Sequence, residues 1–160
     1  MKAKELYGKD LMIGDWIYSI IDRYDHIEKK PIKITGISTD GNELLQGDDS
    51  DVWYHIETYE PIPLTAEILE KNGFYWGYTA SEEDFCSATG CGYPEEKGWS
   101  YDEGTGEIKI LFPNNGDGGL IRLDDQCGDR HLEVVFVEPI MLHELQHLLG
   151  MMGIEKEITL

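Results

Sequence analysis

Basic residues are scarce in this chain of 160 residues. Thirteen Lys and Arg stand against thirty-two Asp and Glu, for a formal net charge of −19. Phosphate contacts need clustered Lys and Arg, so nucleic acid and anionic membrane surfaces are disfavoured as partners. A basic protein or a cation is permitted. Cysteine is also sparse, with three residues, an odd number without Cys-x-x-Cys spacing. That pattern predicts free thiols in a reducing cytoplasm. No apolar run approaches the length of a membrane-spanning helix. The opening Met1-Lys2-Ala3-Lys4-Glu5-Leu6 lacks the apolar centre of a signal peptide. There is no Gly-x-Ser-x-Gly, no P-loop and no dinucleotide fingerprint, so three common enzyme classes lose their sequence support.

Hydrophobic residues make up 41% and aromatics 11%, enough for a folded globule. The length predicts one domain, or one with a small appended module. Residues 1–64 read as short strands. Trp16–Ile20 follows a turn at Leu11–Asp15, and Ile32, Ile34 and Ile37 alternate with polar neighbours until Gly36 breaks the rhythm. Asp40-Gly41-Asn42 is a turn signal, Gly47–Asp51 an acidic loop, and Val52–Tyr59 a further alternating run. This spacing predicts a small SH3-like antiparallel β-barrel, ended by Pro61 and Pro63.

Residues 65–160 predict a short helix, an antiparallel β-meander and a C-terminal amphipathic helix, packed as one unit with the barrel. The class is therefore α+β. Thr65 is the expected N-cap of a helix over 66–72, with Glu67 in its first turn and Gly73 as a left-handed stop. Phe74–Tyr78, Trp99–Tyr101, Glu107–Phe112, Leu120–Leu123 and Leu132–Val137 are the expected meander strands. Pro139 is expected in the first turn of the last helix, which ends near Gly150 or Gly153.

That last helix carries the phrase with the most chemistry, His143-Glu144-Leu145-Gln146-His147. Histidines four apart share a helix face and can offer two nitrogens to one zinc ion, with Glu144 as general base for its water. This superficially resembles the zincin metalloproteases. The longer signature would put its third ligand at position 153, which is Gly153 and has no donor. Only thirteen residues follow His147, too few for a loop and a second helix. His131, Glu133, Glu138 and Asp129 remain as upstream donors, and the sequence does not rank them. The alternative uses the same residues for packing. Met141, Leu142, Leu145, Leu148, Leu149 and Met152 recur at helical spacing, leaving His143, Glu144 and His147 at the boundary or in solvent.

Two weaker metal sets exist. Cys86, Cys91, Cys127 and His131 have gaps that suit a structural zinc. Asp117 and the tract Asp48-Asp49-Ser50-Asp51 offer calcium oxygens without EF-hand spacing. The aromatics Trp53, Tyr59, Tyr75, Trp76, Tyr78 and Trp99 are candidates for a binding groove, or for core and sheet-face packing.

Three phrases together carry a resemblance: Asp10–Trp16, Glu60–Phe74 and Leu142–Glu157. The chain resembles a family of small uncharacterised proteins found in gut anaerobic bacteria and their prophages. Residues 80–130 look like its own elaboration. In the family's phrasing the Glu of the final motif can be Gln and its second His can be Asn. The resemblance thus implies a helix-packing phrase rather than a protease centre, and it transfers no site residue. The expectation is a non-enzymatic cytoplasmic interaction protein of a mobile element. A zinc-dependent hydrolase and an acidic DNA mimic are the competing readings.

Overall fold

A computed structural model of the chain describes residues 10–38, 43–78, 97–102, 106–111, 118–125, 131–154 and 156–160. The chain falls into two compact units. The first joins Met1–Pro63 to Met141–Met151, and the second joins Leu64–Ile140 to Met152–Leu160. The last helix thus groups with the first sheet.

In the first unit, β1 (Trp16–Asp22), β2 (Ile27–Ile37), β3 (Leu44–Gly47), β4 (Tyr54–His55) and β5 (Tyr59–Pro61) form one antiparallel sheet in the order β4-β3-β2-β1-β5. The long β2 pairs with β1 along residues 27–33 and with β3 from Ile34 on, with a register shift between Ile34 and Gly36. Such an irregularity bends a strand and increases its twist. The sheet can then enclose a small core of Leu11, Ile17, Ile32, Ile34, Leu45, Ile56 and Tyr59. Ile32 and Ile34 point inward while Lys33 and Thr35 do not, the period-2 pattern of a half-buried strand.

One expectation needs correction here. The run 52–59 is not one strand: β4 stops at His55, and a 3-10 turn over Ile56–Thr58 intervenes before β5. Thr58 Oγ1 donates to His55 O at 2.7 Å, a local bond that competes with the ladder. Pro61 ends the sheet as expected: it is the last residue of β5 and pairs with Ile17 at an edge where its missing N–H is tolerated.

The second unit opens with α1 (Ala66–Lys71), capped as its residues dictate. Thr65 Oγ1 accepts the Ile68 N–H. At the other end Phe74 N–H reaches Leu69 O and Gly73 N–H reaches Glu70 O, with Gly73 at φ +81°. This is the paired-bond ending that a left-handed glycine permits. The meander β6 (Tyr75–Tyr78), β7 (Lys97–Asp102), β8 (Gly106–Leu111), β9 (Gly119–Asp125) and β10 (His131–Phe136) is ordered β10-β9-β8-β7-β6. Ile108 opposes Leu123 and Ile110 opposes Ile121, and all four are buried. Such cross-strand apolar pairs are what stabilise an antiparallel sheet. Trp76 and Trp99 are opposed as well, with ring centroids 5.4 Å apart.

The last helix, α2, spans Leu142–Met151 and not Pro139 onward. Pro63 and Met141 form a β-bridge, and Leu142 N–H donates to Ile62 O at 2.8 Å, so the chain is still extended just before the helix. Leu142, His143, Leu145, Leu148 and Leu149 are its buried positions. Burial is worth about 2 kcal/mol for each of these leucines, which favours the helix over an exposed chain.

Candidate functional site

The turn before β1 is built on Gly14. Asp15 N–H donates to Met12 O, and Gly14 sits at φ +99°, where a side chain would be strained. That turn delivers Asp15 into the interior, where it is 3% exposed. A buried carboxylate needs partners. Asp15 Oδ2 accepts the Met12 N–H at 2.7 Å. His147 Nε2 lies 2.8 Å from Oδ2 and 3.0 Å from Oδ1. An ionised carboxylate only accepts, so Nε2 carries the hydrogen and donates.

Gln146, one residue earlier on α2, reads the same turn through its backbone. Its Oε1 accepts the Trp16 N–H at 3.1 Å, and its Nε2 donates to Gly14 O at 3.2 Å. The side-chain amide thus occupies the place of a neighbouring strand's peptide. Glu144 is turned to its own helix end: Oε2 accepts the Met141 N–H at 2.8 Å. This is the backward half of a capping box, placed where the helix dipole also favours an anion. His143 is 4% exposed, which corrects its expected boundary position. Its ring is edge-on to His147, with centroids 5.8 Å apart.

The hydrogen bond from His147 to Asp15 raises the imidazole's pKa above its ordinary value. Burial opposes this, and the nearby charges of Asp15, Glu144 and Asp10 assist it. The charged imidazolium is stabilised in this setting.

The structure therefore brings His143, Glu144 and His147 onto one helix as expected, and it adds Asp15. Among the described residues, no group of three or more His, Cys, Asp or Glu side chains is arranged to hold a metal ion. Of the upstream donors considered, Glu133 is taken by Arg122, at 3.1 Å from Nε and 2.7 Å from Nη2. Asp129, Cys86, Cys91 and Cys127 lie outside the described residues, as does the side chain of His131. Asp117 of the calcium reading lies outside them too. Asp48 Oδ1 accepts the Lys33 N–H at 2.9 Å and Asp49 Oδ2 meets Lys30 Nζ at 3.3 Å, so both shape the acidic loop.

The aromatic set separates. Tyr59 and Trp99 are buried, whereas Trp53, Tyr75 and Trp76 are exposed, and the side chain of Tyr78 lies outside the described residues. Tyr59 donates to Leu45 O at 3.4 Å. Its hydroxyl pKa is pushed up to about 12, by burial first and then by Asp49 and Tyr54.

Sequence reasoning missed Asp15 and Gln146. Their signal was the joint presence of the Gly14-Asp15-Trp16 turn and the Gln146-His147 pair, which local periodicity does not connect. No helix among the described residues is long and apolar enough to cross a membrane. No family model, curated protein or solved structure matches the chain.

Proposed function

We propose that the chain is a non-enzymatic protein-interaction module of a mobile element, working in the cytoplasm, with an SH3-like first unit and a basic protein as partner. The observation that carries this reading is the use already made of the polar residues in the helical phrase. Glu144 accepts the Met141 N–H, Gln146 bonds Gly14 and Trp16, and His147 donates to Asp15. A general base has to reach a substrate proton, and here the carboxylate serves the helix end. The strand order β4-β3-β2-β1-β5, with a 3-10 turn between β4 and β5, supports the SH3-like assignment. The charge of −19 supports a cationic partner.

Affinity capture at low ionic strength is expected to recover a Lys- and Arg-rich protein, released as salt approaches about 0.5 M, where surface charges are screened. A zinc-dependent peptidase activity that disappears in Glu144→Gln while the metal stays bound would overturn the reading.

A further inference from the structure

Sheets that end in open solvent usually protect the last strand by shortness, proline, lysine or a bulge. The first unit's sheet follows that rule. At one end β4 has two residues, and at the other β5 has three and closes on Pro61. β10 has none of these devices. It runs six residues, His131-Leu132-Glu133-Val134-Val135-Phe136, in unbroken register from His131↔Asp124 to Phe136↔Gly119. Among the described residues no strand pairs with its other side. Val135 is 69% exposed on one face of the strand, and Val137, one residue past its end, is 87% exposed. Glu133 lies on that face as well, and Arg122 from β9 already binds it.

We propose that β10 is a docking edge that takes an extended segment of a basic protein partner as an added strand. The proposal rests on the interaction-module reading and names its surface. An open strand edge presents N–H and C=O groups at alternate residues, and the complement of that row is another extended backbone. Val135, flanked by the exposed Val137 just past the strand end, selects apolar side chains in the incoming segment. The charge of −19 selects Lys or Arg at the positions between, and it sets a second copy of this chain against the first.

The test uses the full chain and a fluorescein-labelled peptide, Lys-Val-Lys-Val-Lys-Val-Lys, with a shuffled peptide of the same composition as control. Anisotropy is expected to show tighter binding of the alternating peptide. The double variant Val135→Lys/Val137→Lys is expected to weaken it about tenfold or more. Val135→Ser/Val137→Ser, which leaves the charge unchanged, should weaken it about threefold. Both substitutions sit at exposed positions, and an unchanged thermal midpoint confirms the fold. Equal binding by wild type and both variants overturns the edge but leaves an interaction module that binds elsewhere. No binding of the peptide by the wild type overturns the proposal, and the salt-released partner then decides the broader reading alone. A wild-type dimer that the double variant dissolves would make the occupant a second copy, and would overturn the basic segment.

Discussion

The two units solve one problem with the same device. Each must fasten a segment remote in sequence, and each uses a buried or half-buried carboxamide that bonds backbone in both directions. In the first unit Gln146 bonds Trp16 N–H and Gly14 O. In the second, Asn72 Oδ1 accepts the Thr159 N–H at 2.8 Å, while Nδ2 donates to Thr159 O at 2.8 Å and to Ile68 O at 2.7 Å. The difference is what stands beside the amide. The first unit adds a titratable pair, Asp15 and His147. The second adds only the Thr159 hydroxyl, 3.3 Å from Asn72 Oδ1. A neutral clasp is indifferent to pH and a charged one is not. Through Gln146 and His147 the helical phrase thus makes a charged version of a fastening that the other unit makes with neutral groups.

Breaking the charged clasp should have the largest effect. Asp15→Ala strips the Met12 N–H and the His147 ring of a shared buried acceptor. The expected loss is about 3 kcal/mol, because removing one member of a buried pair leaves the other uncompensated. Urea unfolding measures it, and hydrogen exchange assigns it. Protection should fall in β1, β2 and α2 and stay unchanged in β7 to β9. Loss of protection in the meander instead would mean that the clasp does not act within its own unit.

Asn72→Ala should follow at about 2 kcal/mol, the scale for unpairing buried backbone groups. Its signature is faster exchange of the Thr159 amide and release of Ile158, which is 2% exposed. Asn72→Asp keeps the acceptor for the Thr159 N–H but removes the donors to Ile68 O and Thr159 O, so its cost should be similar. If both variants keep the C-terminal segment protected, burial of Ile158 alone holds it, and the parallel between the units fails.

The legible parts of this chain are those that local chemistry writes. Thr65, Glu67 and Gly73 fix α1, and Gly73 takes the predicted positive φ. The alternation of Ile108, Ile110, Ile121 and Leu123 fixes the inner faces of β8 and β9. What was not legible depends on distant partners. Ile56 N–H is drawn to Glu43 O, which breaks an otherwise regular alternation into β4, a 3-10 turn and β5. The late start of α2 follows from the bridge between Pro63 and Met141, and no cap signal near Pro139 could reveal it. Asp15 and His147 are 132 residues apart, so spacing on α2 could show which side chains share a face but not what faces them.

The smallest expected effect is the one that separates the two clasps most cleanly. The pKa of His147 is raised in the folded protein by its hydrogen bond to Asp15, above the ordinary value of 6.5 that the unfolded chain retains. The folded state therefore binds the proton more tightly, and stability is linked to that binding. The contribution is fully present below about pH 6.5 and is lost as pH rises through the higher folded value. Urea midpoints taken upward from about pH 5.5, where surface carboxylates stay ionised, should fall through this window. The slope should vanish in His147→Gln, which keeps a donor at the end of its side chain but has no proton to lose. Exchange at the Thr159 amide, corrected for its intrinsic pH dependence, should stay flat, because Asn72 does not titrate. A slope that survives in His147→Gln would assign the pH dependence to other groups and leave the first unit's clasp as insensitive as the second's.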